Sequence, residues 1–195
     1  MTRAFGPNEV YVGGANFELA DLHHGRGNFV KAAQAARAAV AAFTAALGER
    51  HNYTMNANAT LAAVELDLGE PAAALRVFEA LKPIALADKD GAPMLAAIDF
   101  GRAKALTQLG RPEEALALLN QVNATQLANS SWGPPDFEWQ LQAEKGRALI
   151  GMGQRAQGAD KIRAALPEME KAGSYRWQLE RYRELLHNPP RMARR

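Results

Sequence analysis

The sequence predicts an all-α fold, a right-handed α-solenoid of about four antiparallel helix pairs with a C-terminal capping helix. Three observations carry that expectation. Glycines recur as Gly27, Gly69, Gly110 and Gly153, at steps of 42, 41 and 43 residues. Seven residues before each stands a small residue (Ala20, Ala62, Ala103, Gly146), and five residues after each stands another (Ala32, Ala74, Ala115, Gly158). A second register agrees: FGPNEVY at 5–11 aligns with LGERHNY at 47–53, pairing Gly6 with Gly48 and Tyr11 with Tyr53. A fixed period of about forty residues marks stacked supersecondary units. Glycine supplies the backbone freedom of each turn, and two antiparallel helices close up only where the crossing residues lack bulk.

The stretch 61–81, LAAVELDLGEPAAALRVFEAL, shows the unit most clearly. Gly69 breaks a first helix, and Pro71 opens a second at its first turn, where a missing N–H costs nothing. Ala74, Phe78 and Leu81 then share one face of the second helix. Helices are expected near 8–24 and 28–47, 53–68 and 71–87, 92–109 and 112–122, and 135–152 and 155–171. Pro112 starts the sixth, with Glu113 and Glu114 placed to complement its dipole. A capping helix at 174–187 carries Tyr175, Leu179, Tyr182 and Leu186 on one face and Arg176, Arg181 and Arg183 around the rest. Solenoid ends require such a cover. The repeats then span 5–46, 47–89, 90–129 and 130–172 of a single domain at 1–195, with a tail at 188–195. The lead-in 1–7 begins at the linker of a repeat, which reads as a piece of a longer array.

Composition narrows the class. Cysteine is absent, so disulfides, thiolate metal sites and cysteine nucleophiles are excluded, and either cytoplasm or periplasm is compatible. No apolar run approaches the ~20 residues that span a bilayer, and the N-terminus MTRAFGPNEV has no apolar signal segment. Direct membrane insertion is not expected. Of the net charge of +2, the stretch 174–195 contributes +4 through six Arg and two Glu, leaving −2 for the rest. No body-wide basic face for nucleic acid results.

No catalytic, cofactor or metal constellation emerges. His23 and His24 are adjacent, about 100° apart on a helix, and cannot chelate one ion together. His51 sits in a linker and His187 near the end. The chain lacks HExxH, GxSxG and GxxxxGK[ST] motifs, and Gly13-Gly14 and Gly151-Met-Gly153 are too short to cradle a nucleotide. Aspartate and glutamate read as solvated charges on exposed faces. Between the third and fourth pairs, Gly133, Pro134 and Pro135 mark a loop, and Pro135 can start the next helix. Trp132, Phe137 and Trp139 make a candidate aromatic patch there. A hydrophobic plug over the seam between two repeats is favoured over a ligand contact.

The pattern resembles the tetratricopeptide repeat, in the 42-residue form of kinesin light chains and many bacterial regulators. Leu19, Leu61 and Arg102 hold the large position that precedes the small residue, with Lys145 in the fourth repeat. Phe78 and Leu119 hold the aromatic position, with Ala36 and Ile162 in the others. The resemblance implies protein or peptide recognition on a concave face lined by first helices, with no enzyme activity. The groove positions it transfers are Phe17, Asp21 and His24; Asn56, Thr60, Ala63 and Asp67; Phe100, Lys104 and Thr107; and Ala143 and Arg147. The lysine–asparagine clamp by which some members hold a C-terminal carboxylate is missing, since Phe17, Ala59 and Phe100 stand at lysine positions. Asn56 and Thr60 suit hydrogen bonding to an extended peptide backbone. The leading expectation is the sensory or regulatory C-terminal region of a larger bacterial serine/threonine kinase or transcriptional regulator. A stand-alone adaptor in a multiprotein or secretion assembly is the alternative, and an enzyme with an unfamiliar helical site the third.

Overall fold

A computed structural model describes residues 7–88, 92–124, 134 and 136–187. Lead-in residues 1–6 (with Gly6), Trp132, Gly133, Pro135 and tail 188–195 lie outside the described residues. Among those described the structure is all helix: α1 (Pro7–Gly25), α2 (Phe29–Leu47), α3 (Asn52–Asp67), α4 (Pro71–Ala87), α5 (Ala92–Gln108), α6 (Pro112–Gln121), α7 (Phe137–Gly151), α8 (Arg155–Lys171) and α9 (Arg176–His187). These bounds follow the expected ones closely, save that α7 begins at Phe137 and α9 at Arg176, each two residues late.

Five helix ends share one hydrogen-bond pattern. Gly27 N–H donates to the His24 carbonyl and Asn28 N–H to the His23 carbonyl, both at 2.9 Å. The same pair of bonds recurs at Gly69/Glu70, Gly110/Arg111, Gly153/Gln154 and Gly173/Ser174. This turn satisfies the last helical carbonyls and needs a left-handed residue. The five glycines adopt φ of 72°, 84°, 75°, 82° and 84°, and Gly48 ends α2 at 87°. Gly173, which the period does not reach, turns the chain into the cap.

Contacts divide the chain into two compact units, Met1–Ile84 and Ala85–Arg195. In the first, α1 packs on α2 and α2 on α3. The core is mostly alanine: Ala20, Ala32, Ala39, Ala57, Ala62 and Ala74 are fully buried. Phe43 of α2 fills the space this leaves, lying where a Cβ on Gly13 would be only 2.6 Å from its ring. Around it gather Ala39 and Ala57, with Val10, Phe17, Val40 and Leu47 at the edge. His51 caps α3, its Nδ1 accepting from Tyr53 N–H at 3.2 Å.

In the second unit, α5 packs on α6, α6 on α7, α7 on α8 and α8 on α9. Ala103 and Ala115 are fully buried. The crossing between α7 and α8 is tighter, and two glycines make it: a Cβ on Gly146 would lie 2.6 Å from the Gly158 carbonyl oxygen and 2.8 Å from Ile162 Cγ1. Ile150, Ile162, Leu166 and Met169 form the core beside it, and α9 covers this core with Leu179 and Tyr182, each 4% exposed. Trp139, Leu185 and Leu186 pack at its margin. Pro83 and Pro167 lie inside α4 and α8 with their rings exposed, so the hydrogen bond each removes is lost on the solvent side.

The structure corrects one expectation directly. Glu65, Asp136 and Glu144 are not solvated charges; they are 8%, 3% and 2% exposed. Each is paired, as burial of a carboxylate demands. Glu65 accepts from Arg37 of α2 at 3.3 Å. Asp136 accepts from Gln140 at 2.9 Å and, through its other oxygen, from the Ser174 hydroxyl. Glu144 accepts from the Tyr182 hydroxyl at 2.7 Å and faces Arg147 at 3.5 Å. The last two acids tie α9 and the turn before it to the start and middle of α7.

Candidate functional site

The groove positions fall into two groups, one in each unit. In the first, α3 presents Asn56, Thr60, Ala63 and Asp67 at spacings of four, three and four, so they form one stripe. All four are partly exposed. Among the described residues, neither the Asn56 amide nor the Thr60 hydroxyl makes a side-chain hydrogen bond, so both are available to a ligand. Asp67 is different. Its carboxylate is 1% exposed and meets His24 Nε2 of α1 at 2.8 Å. The His24 ring also stands 5.8 Å from the ring of Phe29. His24 and Asp67 therefore bind each other and close the end of the stripe, while Asp21 remains exposed on α1. Phe17 packs at the edge of the Phe43 cluster.

In the second unit, α5 places Phe100, Lys104 and Thr107 on one face. Phe100 is 9% exposed and meets Phe137 edge-on, with ring centroids 4.9 Å apart. Phe137 is 2% exposed. These two aromatics join α5 to α7 and leave each other little surface for a ligand. Lys104 Nζ sits 5.9 Å from the Phe100 ring, within reach of a cation–π attraction. The Thr107 hydroxyl donates to the Ala103 carbonyl at 3.0 Å and so serves its own helix. Arg147 is partly exposed but answers Glu144. Trp139 is half-buried against the α7–α8–α9 core.

Asn56 and Thr60 of α3, Asp21 of α1 and Lys104 of α5 are thus groove positions with polar ends turned outward. The arrangement presents amide and hydroxyl groups in one unit and a cation beside an aromatic ring in the other. Among the described residues no cluster of three or more His, Asp or Glu is placed to hold a metal ion, and no helix is long and apolar enough to cross a membrane. The Glu114 carboxyl is lowered by its hydrogen bond to Arg111. The Lys145 ammonium is lowered by burial and then by the charge of Lys161. Both are local to helix surfaces away from the stripes.

No family model and no curated protein matches the chain. Its architecture does match a solved structure. This is a protein of Podosopora anserina described as a kinesin light chain with nearly identical tetratricopeptide-like repeats. The likeness has a TM-score of 0.55 at 24% identity, over 88% of this chain and 81% of that one. The fold is tetratricopeptide-like. The helix pairs, the glycine turns and the small crossing residues are those of a helical-repeat α-solenoid.

Proposed function

We propose that this chain is a protein–protein interaction module that binds a peptide or protein segment along the first helices of its pairs, and that it carries out no catalytic step. The observation that carries the proposal is the α3 stripe. Asn56 and Thr60 are partly exposed, side by side, and without a side-chain hydrogen bond among the described residues. A polar group kept out of the core and left without a partner is suited to an external one. The tetratricopeptide-like fold supports the same reading. We assign the module a regulatory role within a larger bacterial signalling protein, a serine/threonine kinase or a transcriptional regulator, on the resemblance of its alanine-rich repeats.

The test is capture of partners with the full-length parent protein, followed by affinity measurement on the partner found. Asn56→Ala with Thr60→Ala should weaken binding about thirtyfold, since each of the two lost hydrogen bonds is worth ~1 kcal/mol. Lys104→Glu, in the second unit, is a separate variant that should weaken an acidic or aromatic-rich partner. Arg147 is left intact in this test, because a carboxylate at that position would face buried Glu144. Unchanged affinity in both variants, with the helical circular dichroism preserved, would remove the first-helix face as the site.

A further inference from the structure

The groove face of the first unit extends from α3 onto α1. His24 Nε2 of α1 meets Asp67 Oδ2 of α3 at 2.8 Å, which lays the ends of these two helices side by side. The shift of 42 residues that carries Gly27 to Gly69 carries Asp21 to Ala63 and Glu18 to Thr60. One turn back from the His24–Asp67 contact therefore stand Asp21 and Ala63, and one turn further back Glu18 and Thr60. Glu18 and Asp21 are exposed, and Thr60 and Ala63 partly exposed. Thr60 and Ala63 are open although helix pairs precede and follow theirs in the chain, so the openness belongs to the face and not to the place of α1.

This face is one-signed. Neither α1 nor α3 holds a Lys or Arg. The two acids of α3 are answered within the unit: Glu65 is buried and meets Arg37, and Asp67 meets His24. Glu18 makes no ion pair among the described residues. Beside it on α3 are the Asn56 amide and the Thr60 hydroxyl, neither in a side-chain hydrogen bond among the described residues. The fold does not require a carboxylate at the Asp21 position, because Ala63, Lys104 and Arg147 occupy it in the later repeats. Two carboxylates are too few to cage a metal ion, and among the described residues no third stands with them.

Carboxylates set beside groups suited to a peptide backbone complement a segment that bears a cation. Resting on the reading of the α3 stripe as a peptide site, we infer that the first unit takes a basic, extended segment of a partner protein. Asn56 and Thr60 hydrogen-bond its backbone, and Glu18 and Asp21 receive one of its Lys or Arg side chains. Held at an exposed rim, that cation selects the partner more than it adds affinity.

The test selects a display library of randomised decapeptides on the full chain and then measures a selected, fluorescein-labelled peptide by anisotropy. The selected peptides should be enriched in Lys and Arg over the starting library. Glu18→Gln with Asp21→Asn should weaken such a peptide about fivefold, the loss of two exposed ion pairs. Selection repeated on that variant should lose the enrichment. Glu138→Gln with Glu184→Gln removes two exposed acids of the second unit and should change nothing, which separates this face from a general attraction of acids for cations. All four acids are exposed, so both double variants should keep wild-type helical circular dichroism. Selected peptides with no excess of Lys or Arg, still weakened by Asn56→Ala with Thr60→Ala, would overturn the charge assignment and leave the peptide site standing. Basic peptides indifferent to Glu18 and Asp21 would overturn it as well. Peptides indifferent to Asn56 and Thr60, or a library that yields no binder, would remove the peptide site and the charge assignment with it.

Discussion

Replacing Gly146 by alanine offers a sharp test of the packing described above, because two effects oppose each other and the structure decides between them. On an isolated helix the change is favourable by ~1 kcal/mol, since glycine is the poorer helix former. Here the added Cβ would lie 2.6 Å from the Gly158 carbonyl oxygen, 2.8 Å from Ile162 Cγ1 and 3.2 Å from Lys161 Cβ. The nearest obstacle is backbone and cannot rotate away. α7 and α8 must therefore separate by several tenths of an ångström, along a line that also loosens Ile150, Ile162 and Met169. Overpacking of this kind costs ~1–3 kcal/mol, and a backbone obstacle places it near the upper end. The net expectation is a loss of about 2 kcal/mol. Gly158→Ala meets the Gly146 carbonyl and Ile150 in the same gap. The double variant should therefore lose less than the two single losses together. Urea unfolding followed by tryptophan emission is the assay. The three tryptophans, Trp132, Trp139 and Trp177, all lie in the second unit, so the signal reports on the unit that holds the crossing. Gly14→Ala is the control, since a Cβ there meets nothing within 4 Å. It should gain stability by circular dichroism. A Gly146→Ala protein that also gains would refute the close approach.

Three further outcomes follow from particular contacts. Tyr182→Phe should cost about 1.5–3 kcal/mol in the same urea experiment, because it strips buried Glu144 of a hydroxyl donor at 2.7 Å; a neutral result would deny that bond. Gly69→Ala should cost ~1–2 kcal/mol, because alanine is strained at φ 84°, and unchanged stability by circular dichroism would contradict the turn. Lys145 titrates below its ordinary 10.5 in the folded chain, because burial and then Lys161 disfavour its charge. Between the lowered value and 10.5 the unfolded chain therefore holds a proton that the folded chain has released, so this residue makes stability rise with pH across that window. Lys145→Met should be the more stable protein at pH 7, with the difference shrinking toward pH 10.5; a pH-independent difference in urea midpoint would count against it.

Much of the fold was legible because its determinants are local or strictly periodic. A left-handed residue at a helix end leaves a glycine in the sequence, and a close crossing leaves Ala or Gly at fixed offsets from it. Gly146 and Gly158 read from sequence as the fourth pair of small crossing residues. In the structure they face each other where α7 crosses α8. Buried acids were harder to see. Nothing in the composition separates Glu144 from Glu138, yet one is buried under Tyr182 and the other exposed. A signal was present: Glu144 stands three residues after Leu141 and four before Ala148, on the apolar face those two mark. Glu65 stands likewise between Val64 and Leu66, three residues from Ala62. A helix period counted through charged positions would have flagged both. The donors, Tyr182 and Arg37, are 38 and 28 residues away and follow from no local pattern.

The candidate site was less legible than the fold for a related reason. A repeat pattern says which positions face a groove in an average member, whereas binding depends on what each side chain does with its neighbours in this one. His24 and Asp67 are 43 residues apart, at nearly the repeat spacing, and they satisfy each other. Phe100 and Phe137 do the same across α5 and α7. Thr107 turns its hydroxyl onto its own helix. What remains outward is Asp21, Asn56, Thr60 and Lys104, with Arg147 partly exposed beside Glu144, a shorter set than the period transfers. The same subtraction works in reverse on α1. Leu19 and Leu22 are exposed, whereas their translated copies Leu61 and Val64 pack on alanines of α2. In a repeat fold, then, the informative residues are those whose surroundings differ from those of their translated copies, and a copy that finds a partner within the chain removes a binding position.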